Sequence, residues 1–314
     1  MAGESNGLRL GTRGSPLALA QAHETRTRLA AAHGWAEDGI EIVVIATTGD
    51  AIQDRALAEA GGKGLFTKEL DIALIRGDIH IAVHSAKDLP TALPDEIALS
   101  GFLPREDVRD AFISRDGTPL ADLPLHAVVG SASLRRQAQL RKLRPDLDVR
   151  LLRGNVQTRL RKLDAGEYDA TILAMAGLKR LGLTERVTEQ LTLHEFLPAV
   201  GQGAIAITAR RGDATTSEIL APILDRDTGL ALLCERTFLT VLDGSCRTPI
   251  AGHARVQDGE VLFRGQVLAV DGSESIETVT DGPVGIAERI GRAAGEDVLA
   301  RAPAHLLAAF AKGH

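Results

Sequence analysis

The chain has 314 residues, 44% hydrophobic, 25% charged and only 3% aromatic, with a formal net charge of −6. Those proportions are those of a soluble globular protein of two or three domains, with a core of Ala, Leu, Ile and Val. They exclude a membrane span of roughly 18 apolar residues, and with two cysteines and no CxxC pair they exclude a disulfide framework or structural zinc site; the acidic balance argues against nucleic acid as a partner.

From the N-terminus, "MAGESNGLRLGTRGSP" lacks the basic and apolar regions of a secretory signal, so a cytoplasmic location is expected. "LRLGT" predicts a strand. "SPLALAQAHETRTRLAAAH" predicts a helix with Ser15 as N-cap and Pro16 at its first position. "IEIVVIAT" predicts a buried strand, "LFTKELDIALIRGD" an amphipathic helix and "IHIAVHS" the next strand. The stretch from Thr48 to Gly64 has weak periodicity and four glycines. It is long for a connection inside a domain and is expected to be a mobile loop over a site.

Further on, "HAVVG" predicts a strand leading into the helix "SLRRQAQLRKL". "DVRLLRG" leads into "NVQTRLRKLDAGE", and "YDATILAMAG" follows. This alternation predicts parallel sheets covered by helices, in which ligands bind beyond the carboxyl ends of the strands. Arg13, Asp88, Ser131, Ser133, Arg135, Arg136 and Arg153 all fall just after a predicted strand. After "VGQGAIAITARR" the pattern changes. "TGLALLCERTFLTVL" predicts a helix, and "TPIAGHARVQDGEVLFRGQVLAVDGSESIETVTDG" a three-stranded antiparallel meander whose Asp258-Gly259 is a hairpin signal. A closing helix is expected from about Val284 to Ala300.

Several segments carry chemistry. Between Ser131 and Leu163 ten basic residues face two acidic ones, a local balance of +8. Singly, each arginine reads as part of a solvated helix face. Together they suggest an anionic ligand, because guanidinium forks match carboxylate geometry. Cys246 stands in the polar turn "VLDGSCRTPI", where Arg247 favours the thiolate; its composition leaves a reactive and an inert thiol equally open. Cys234, inside an apolar helix, reads as an inert core residue. Asp88, in "VHSAKDLP", is either a carboxylate that stabilises a cation or moves a proton, or a turn-capping residue. His84 reads as a satisfied core histidine. "GGKGLF" fails as a phosphate loop because Lys63 is followed by Gly64. No metal-ligand array is present.

Seven segments, "RGSPLALAQ", "GGKGLFTKEL", "HSAKDLP", "GSASLRRQAQL", "LRGNVQTRLRKLDAGEYDATILAMAGLKRL", "PAVGQGA" and "DGSCRTPIAGHA", closely resemble the porphobilinogen deaminase (hydroxymethylbilane synthase) family. They occur in the family's order from Leu8 to about Ala254. The resemblance implies an α/β protein of three domains. The first two (1–103 with 201–221, and 104–200) are similar to type-2 periplasmic binding proteins. The third (222–314) is a small α/β domain with a three-stranded antiparallel sheet. It implies a transferase of haem biosynthesis, cytoplasmic and monomeric. Four porphobilinogens are added head to tail to a dipyrromethane cofactor, each losing ammonia, and hydroxymethylbilane is released by hydrolysis. The cofactor is itself made from two units of substrate.

By that resemblance Cys246 carries the cofactor through a thioether and Asp88 is the catalytic aspartate. Lys87, Ser133, Arg135 and Arg136, with Asp88, bind the cofactor. Arg13, Ser15, Lys63, Phe66, Arg153, Arg159 and Gln202 bind substrate, with no metal involved. The +8 segment is then expected to neutralise the acetates and propionates of the growing chain. Two positions depart from the family: Ser245 where Gly is frequent before the cysteine, and Ala132 between Ser131 and Ser133. The rival readings are a non-catalytic small-anion-binding protein on the same two-domain fold and a cysteine-nucleophile transferase for another substrate. The first has no use for Cys246 or a third domain, and the second has no need of so many clustered arginines.

Overall fold

The computed structural model describes residues 7–51, 66–244 and 248–306. The first elements are β1 (Leu8–Arg13), α1 (Pro16–His33), β2 (Ile40–Ile45), α2 (Thr48–Ala51), α3 (Lys68–Arg76), β3 (Ile81–Ser85) and β4 (Ile97–Phe102). They are followed by β5 (Asp110–Ser114), β6 (Val128–Gly130), α4 (Leu134–Leu143), β7 (Asp148–Arg150), α5 (Val156–Asp164), β8 (Ala170–Ala174), α6 (Met175–Arg180) and β9 (Glu189–Gln190). The last are β10 (Ile205–Arg210), α7 (Ala214–Leu220), α8 (Arg226–Val241), β11 (Ile250–Gln257), β12 (Glu260–Leu268), β13 (Ser275–Pro283) and α9 (Ala287–Arg301). The protein is α/β, with two five-stranded sheets and one three-stranded sheet.

Contacts gather the chain into two units. One contains the described residues of 7–51, 66–106 and 204–229, the other those of 107–203 and 230–306. Residues 107–200 of the expected second domain and 230–306 of the expected third belong to the same unit.

In the first unit the sheet order is β2-β1-β3-β10-β4, with β1 parallel to β2 and β3 and with β10 antiparallel to both its neighbours. Strand alternation sends Leu8, Leu10, Ile81, Val83, Ile205 and Ile207 to the face under α1, and Ala82 and Ile97 to the face under α3 with Leu70 and Leu74. α1 starts where the sequence indicates: Pro16 occupies its first turn and the Ser15 hydroxyl accepts from Ala18 N at 3.3 Å. The expectation of a buried strand at Ile40–Ile45 is corrected. β2 is an edge strand with one neighbour, five of its six residues are only half-covered or exposed, and Val44 is 55% exposed. An edge strand has no sheet partner on its outer side, so an apolar run there need not be interior.

In the second unit the larger sheet has the order β7-β6-β8-β5-β9, again with three parallel strands and one antiparallel intruder, here β5. Phe112, Val129, Leu140, Ile172 and Phe196 fill one face; Ala111, Ile113, Leu160, Leu163, Leu173 and Leu178 fill the other. The period of two therefore puts Asp110 on the face of Phe112, the one packed against α4.

The small sheet, β11-β12-β13, is the expected meander. Its first turn places Asp258 at φ 53° and Gly259 at φ 80°, the pair of left-handed residues that a two-residue hairpin requires. Phe238 of α8 and Phe263 of β12 meet with ring centroids 4.9 Å apart, in a core shared with Ile250, Val261, Val267, Ile290 and Val298. α9 runs so close to α8 that a Cβ on Gly291 would collide with the Cys234 carbonyl oxygen. Among the described residues no helix is long and apolar enough to cross a membrane.

Candidate active site

In the first unit two strand ends bring candidate residues together. β1 and β3 are parallel neighbours, paired at Leu10–Ile81 and Gly11–Ala82, so their carboxyl ends lie side by side. Arg13 closes β1, and Asp88 ends the short 3-10 turn Ala86–Asp88 that follows β3. Arg13 Nη1 stands 4.0 Å from Asp88 Oδ2, with the two side chains 18% and 34% exposed. The guanidinium carbon lies 4.1 Å from the centroid of the Phe66 ring. Arg13 is thus held between an aromatic face and a carboxylate, and Asp88 keeps an open side toward solvent. Lys87 is half-buried one residue before Asp88. Ser15 caps α1 through its oxygen, which leaves the hydroxyl proton for a ligand.

His84 takes no part. It is buried, its Nε2 lies 3.0 Å from Thr208 Oγ1, and burial, with the charge of Arg13 second, pushes its pKa down to about 3. It is a neutral core residue, as its strand context suggests.

In the second unit Ser133 follows β6 and caps α4, accepting from Arg136 N at 3.4 Å, while its own N–H donates to Ser131 Oγ at 3.2 Å. The first turn of α4 carries Arg135 and Arg136, both buried. Arg136 donates from Nε (3.1 Å) and Nη2 (2.6 Å) to Asp110 Oδ1, and from Nη1 to Ile172 O at 3.1 Å. Arg135 Nη1 donates to Leu197 O at 2.7 Å and ion-pairs with Asp110 Oδ2 at 2.8 Å. That ion pair lies off the hydrogen-bonding direction, and neither Oδ2 nor Arg135 Nε has a hydrogen-bond partner. Gln202 Nε2 completes the cluster, 2.9 Å from Asp110 Oδ1 and 2.8 Å from Val108 O. Burial works to raise the Asp110 pKa, but the two guanidinium groups override it and hold the carboxyl well below its usual range.

Arg153 is half-buried in the turn before α5, and Arg159 on that helix donates from Nε to Gly154 O at 2.8 Å. Cys246 and Lys63 lie outside the described residues. Cys234 is fully buried; desolvation, with Glu235 second, pushes its thiol up to about 12, so it remains protonated.

The expectation that the whole +8 segment serves a ligand is corrected, because much of it is engaged within the protein. Arg144 clasps Asp146 and donates to the carbonyls of Leu120, Ala121 and Leu123. Arg150 pairs with Asp148, Arg141 donates to Val270 O at 2.8 Å, and Lys142 donates to Ser275 Oγ at 2.7 Å. Among the buried carboxylates, Asp110 and Glu235 were not singled out from the sequence. Asp110 opens an otherwise apolar strand. Glu235, on α8, accepts from Gly201 N at 2.8 Å and from Ala254 N at 2.7 Å. The only local signal for either is an acid set in an apolar run.

A family model described as "Porphobilinogen deaminase, dipyromethane cofactor binding domain" matches residues 8–218, and one described as "Porphobilinogen deaminase, C-terminal domain" matches residues 230–300. The chain is 57% identical over 302 residues to a porphobilinogen deaminase of Nitrobacter winogradskyi, covering 96% of each chain. It is 56% identical, with the same coverage, to that of Nitrobacter hamburgensis. Among solved structures a loose likeness runs to the VFT2 domain of Bordetella pertussis BvgS, at 16% identity and a TM-score of 0.42, covering 73% of this chain and 91% of that one. Both the cofactor-binding and the C-terminal models match in their order along the sequence: the chain belongs to the porphobilinogen deaminase family.

Proposed function

We propose that the chain condenses four porphobilinogens, head to tail and with loss of ammonia, onto a dipyrromethane attached to Cys246, and releases hydroxymethylbilane by hydrolysis. When bound, the dipyrromethane supplies the nucleophilic free α-carbon of its terminal pyrrole. The residues fit such a group: two buried guanidiniums share one carboxylate, leaving an excess positive charge and an Arg135 Nε with no acceptor. Acetate and propionate side chains are of the opposite sign and of matching geometry.

The observation that carries the reading is Asp88 beside Arg13 at the ends of adjacent strands. Loss of ammonia from porphobilinogen leaves an azafulvenium cation. The Asp88 carboxylate stabilises that cation, orients pyrrole N–H groups, and accepts the proton shed when the new carbon–carbon bond forms. Arg13, 4.0 Å from Asp88, takes a substrate carboxylate. Ser133, Arg135 and Lys87 hold the cofactor's carboxylates, and Arg136 serves the cofactor site from within, as the partner of Asp110. Ser15, Lys63, Phe66, Arg153, Arg159 and Gln202 hold the incoming unit. The enzyme is proposed to act as a cytoplasmic monomer with three domains, 1–103 plus 201–221, 104–200 and 222–314. The return of β10 to the first sheet supports that division.

The test is the intact mass of the purified protein. It should exceed the sequence mass by one dipyrromethane, and Cys246→Ser should abolish the excess. Active protein at the bare sequence mass would overturn the assignment.

A further inference from the structure

Asp110 is fully buried at the head of a strand that continues Ala111, Phe112, Ile113, all apolar and buried. An ionised carboxylate in such a place is costly unless it is paired and hydrogen-bonded. Its pairing is unequal. Arg136 spends all three of its nitrogens inside the protein, two on Asp110 and one on Ile172 O. Arg135 donates from Nη1 to Leu197 O and ion-pairs there with Asp110, while its buried Nε is left without an acceptor.

The backbone beneath these heads is fixed as well. Ser133 caps α4 at its start. One turn on, the Gln139 amide clasps both sides of Leu197, donating to its carbonyl at 3.0 Å and accepting from its N–H at 2.7 Å. Gln202 closes on the same Asp110 oxygen as Arg136. With stems and backbone anchored, the remaining freedom of the guanidinium heads is removed by one carboxylate.

We propose that Asp110 is the positioning residue of the second unit's arginine cluster, holding Arg136 as an internal strut and Arg135 in place with one unbalanced positive charge for an acidic ligand. Asp110 touches no reacting atom in this scheme; it acts through the arginines. The inference rests on the proposed function, since the ligand in question is the dipyrromethane and the carboxylates it bears.

Cofactor-free enzyme, made in a host that cannot synthesise porphobilinogen, is mixed with porphobilinogen, and the gain of the dipyrromethane mass is followed over time. Asp110→Asn removes the charge, and Asp110→Glu keeps it but moves it by one methylene. In folded Asp110→Glu the half-saturating porphobilinogen concentration for loading should rise at least about fivefold with full final occupancy, because misplacing a binding group by about 1 Å weakens what it orients. Asp110→Asn should load still more slowly if it folds. A purely structural role would lower the amount of loadable protein and leave the half-saturating concentration at the wild-type value, and that result in Asp110→Glu overturns the inference. Failure of the wild-type chain itself to gain mass overturns the proposed function instead.

Discussion

Asp88 and His84 are four residues apart on the same strand and turn, yet their surroundings give them opposite fates. Asp88 keeps a third of its surface open and a guanidinium at 4.0 Å. Asp88→Ala should fold normally and lose turnover by at least about a hundredfold, the scale of one preorganised electrostatic group; steady-state rates at matched cofactor occupancy test this, and near-normal turnover would remove Asp88 from the chemistry. His84 is buried with its pKa pushed from 6.5 down to about 3. The unfolded chain therefore takes up its proton first as the pH falls, and between pH 6.5 and 3 the fold loses stability by as much as about 1.4 kcal/mol per pH unit from this residue. Asp110 acts in the same direction but lower on the pH scale: its contribution to stability is present above its ordinary value of 3.8 and is lost only below, outside most of that window. His84→Gln should flatten the dependence of unfolding free energy on pH between 4 and 6.5. An unchanged slope would show that His84 is not the group responsible.

Elements whose signals are local were legible in the sequence. Ser15 and Pro16 mark the start of α1, and Asp258-Gly259 mark the hairpin, because a cap and a tight turn are each decided within four residues. β4 and β5 carry no comparable mark. Each is held by strands remote in the chain, β10 for β4 and β8 for β5. Asp110 was missed for the same reason, since its partners lie 25, 26 and 92 positions away along the sequence. The basic run was overread because composition counts charges and does not reveal that Arg144 spends its guanidinium on three carbonyls and an aspartate. At this scale the close approach of α9 to α8 is the clearest mutational target. Gly291→Ala drives a methyl group into the Cys234 carbonyl and should cost at least about 2 kcal/mol. Gly285→Ala, with nothing within 4 Å of the added carbon, serves as the control. Equal melting temperatures for the two variants would mean that the helices part without penalty.

For the whole molecule, a net charge of −6 coexists with arginines gathered at the ends of strands. Porphobilinogen, carrying two carboxylates, is repelled by the protein at large and drawn by the site, so screening should act mainly on capture. Raising the ionic strength from about 0.1 M to about 1 M shortens the Debye length from roughly 10 to 3 Å. KM should rise several-fold over that range while kcat changes little; a constant KM would show that contact hydrogen bonds, and not the field, govern binding.

The placement of β10 also has a temporal side. Among the described residues of the first sheet β4 pairs only with β10, and β10 is its only link to β3. A ribosome has therefore made the whole of β5 to β9 before the strand that joins β3 to β4 exists. The first hundred residues leave the tunnel able to form only β2-β1-β3, while the sheet of β5 to β9 is encoded contiguously and closes first. The usual N-to-C order of folding during synthesis is reversed for these two sheets. Chaperones that attend the nascent chain would find its oldest segment still open after the younger one has closed.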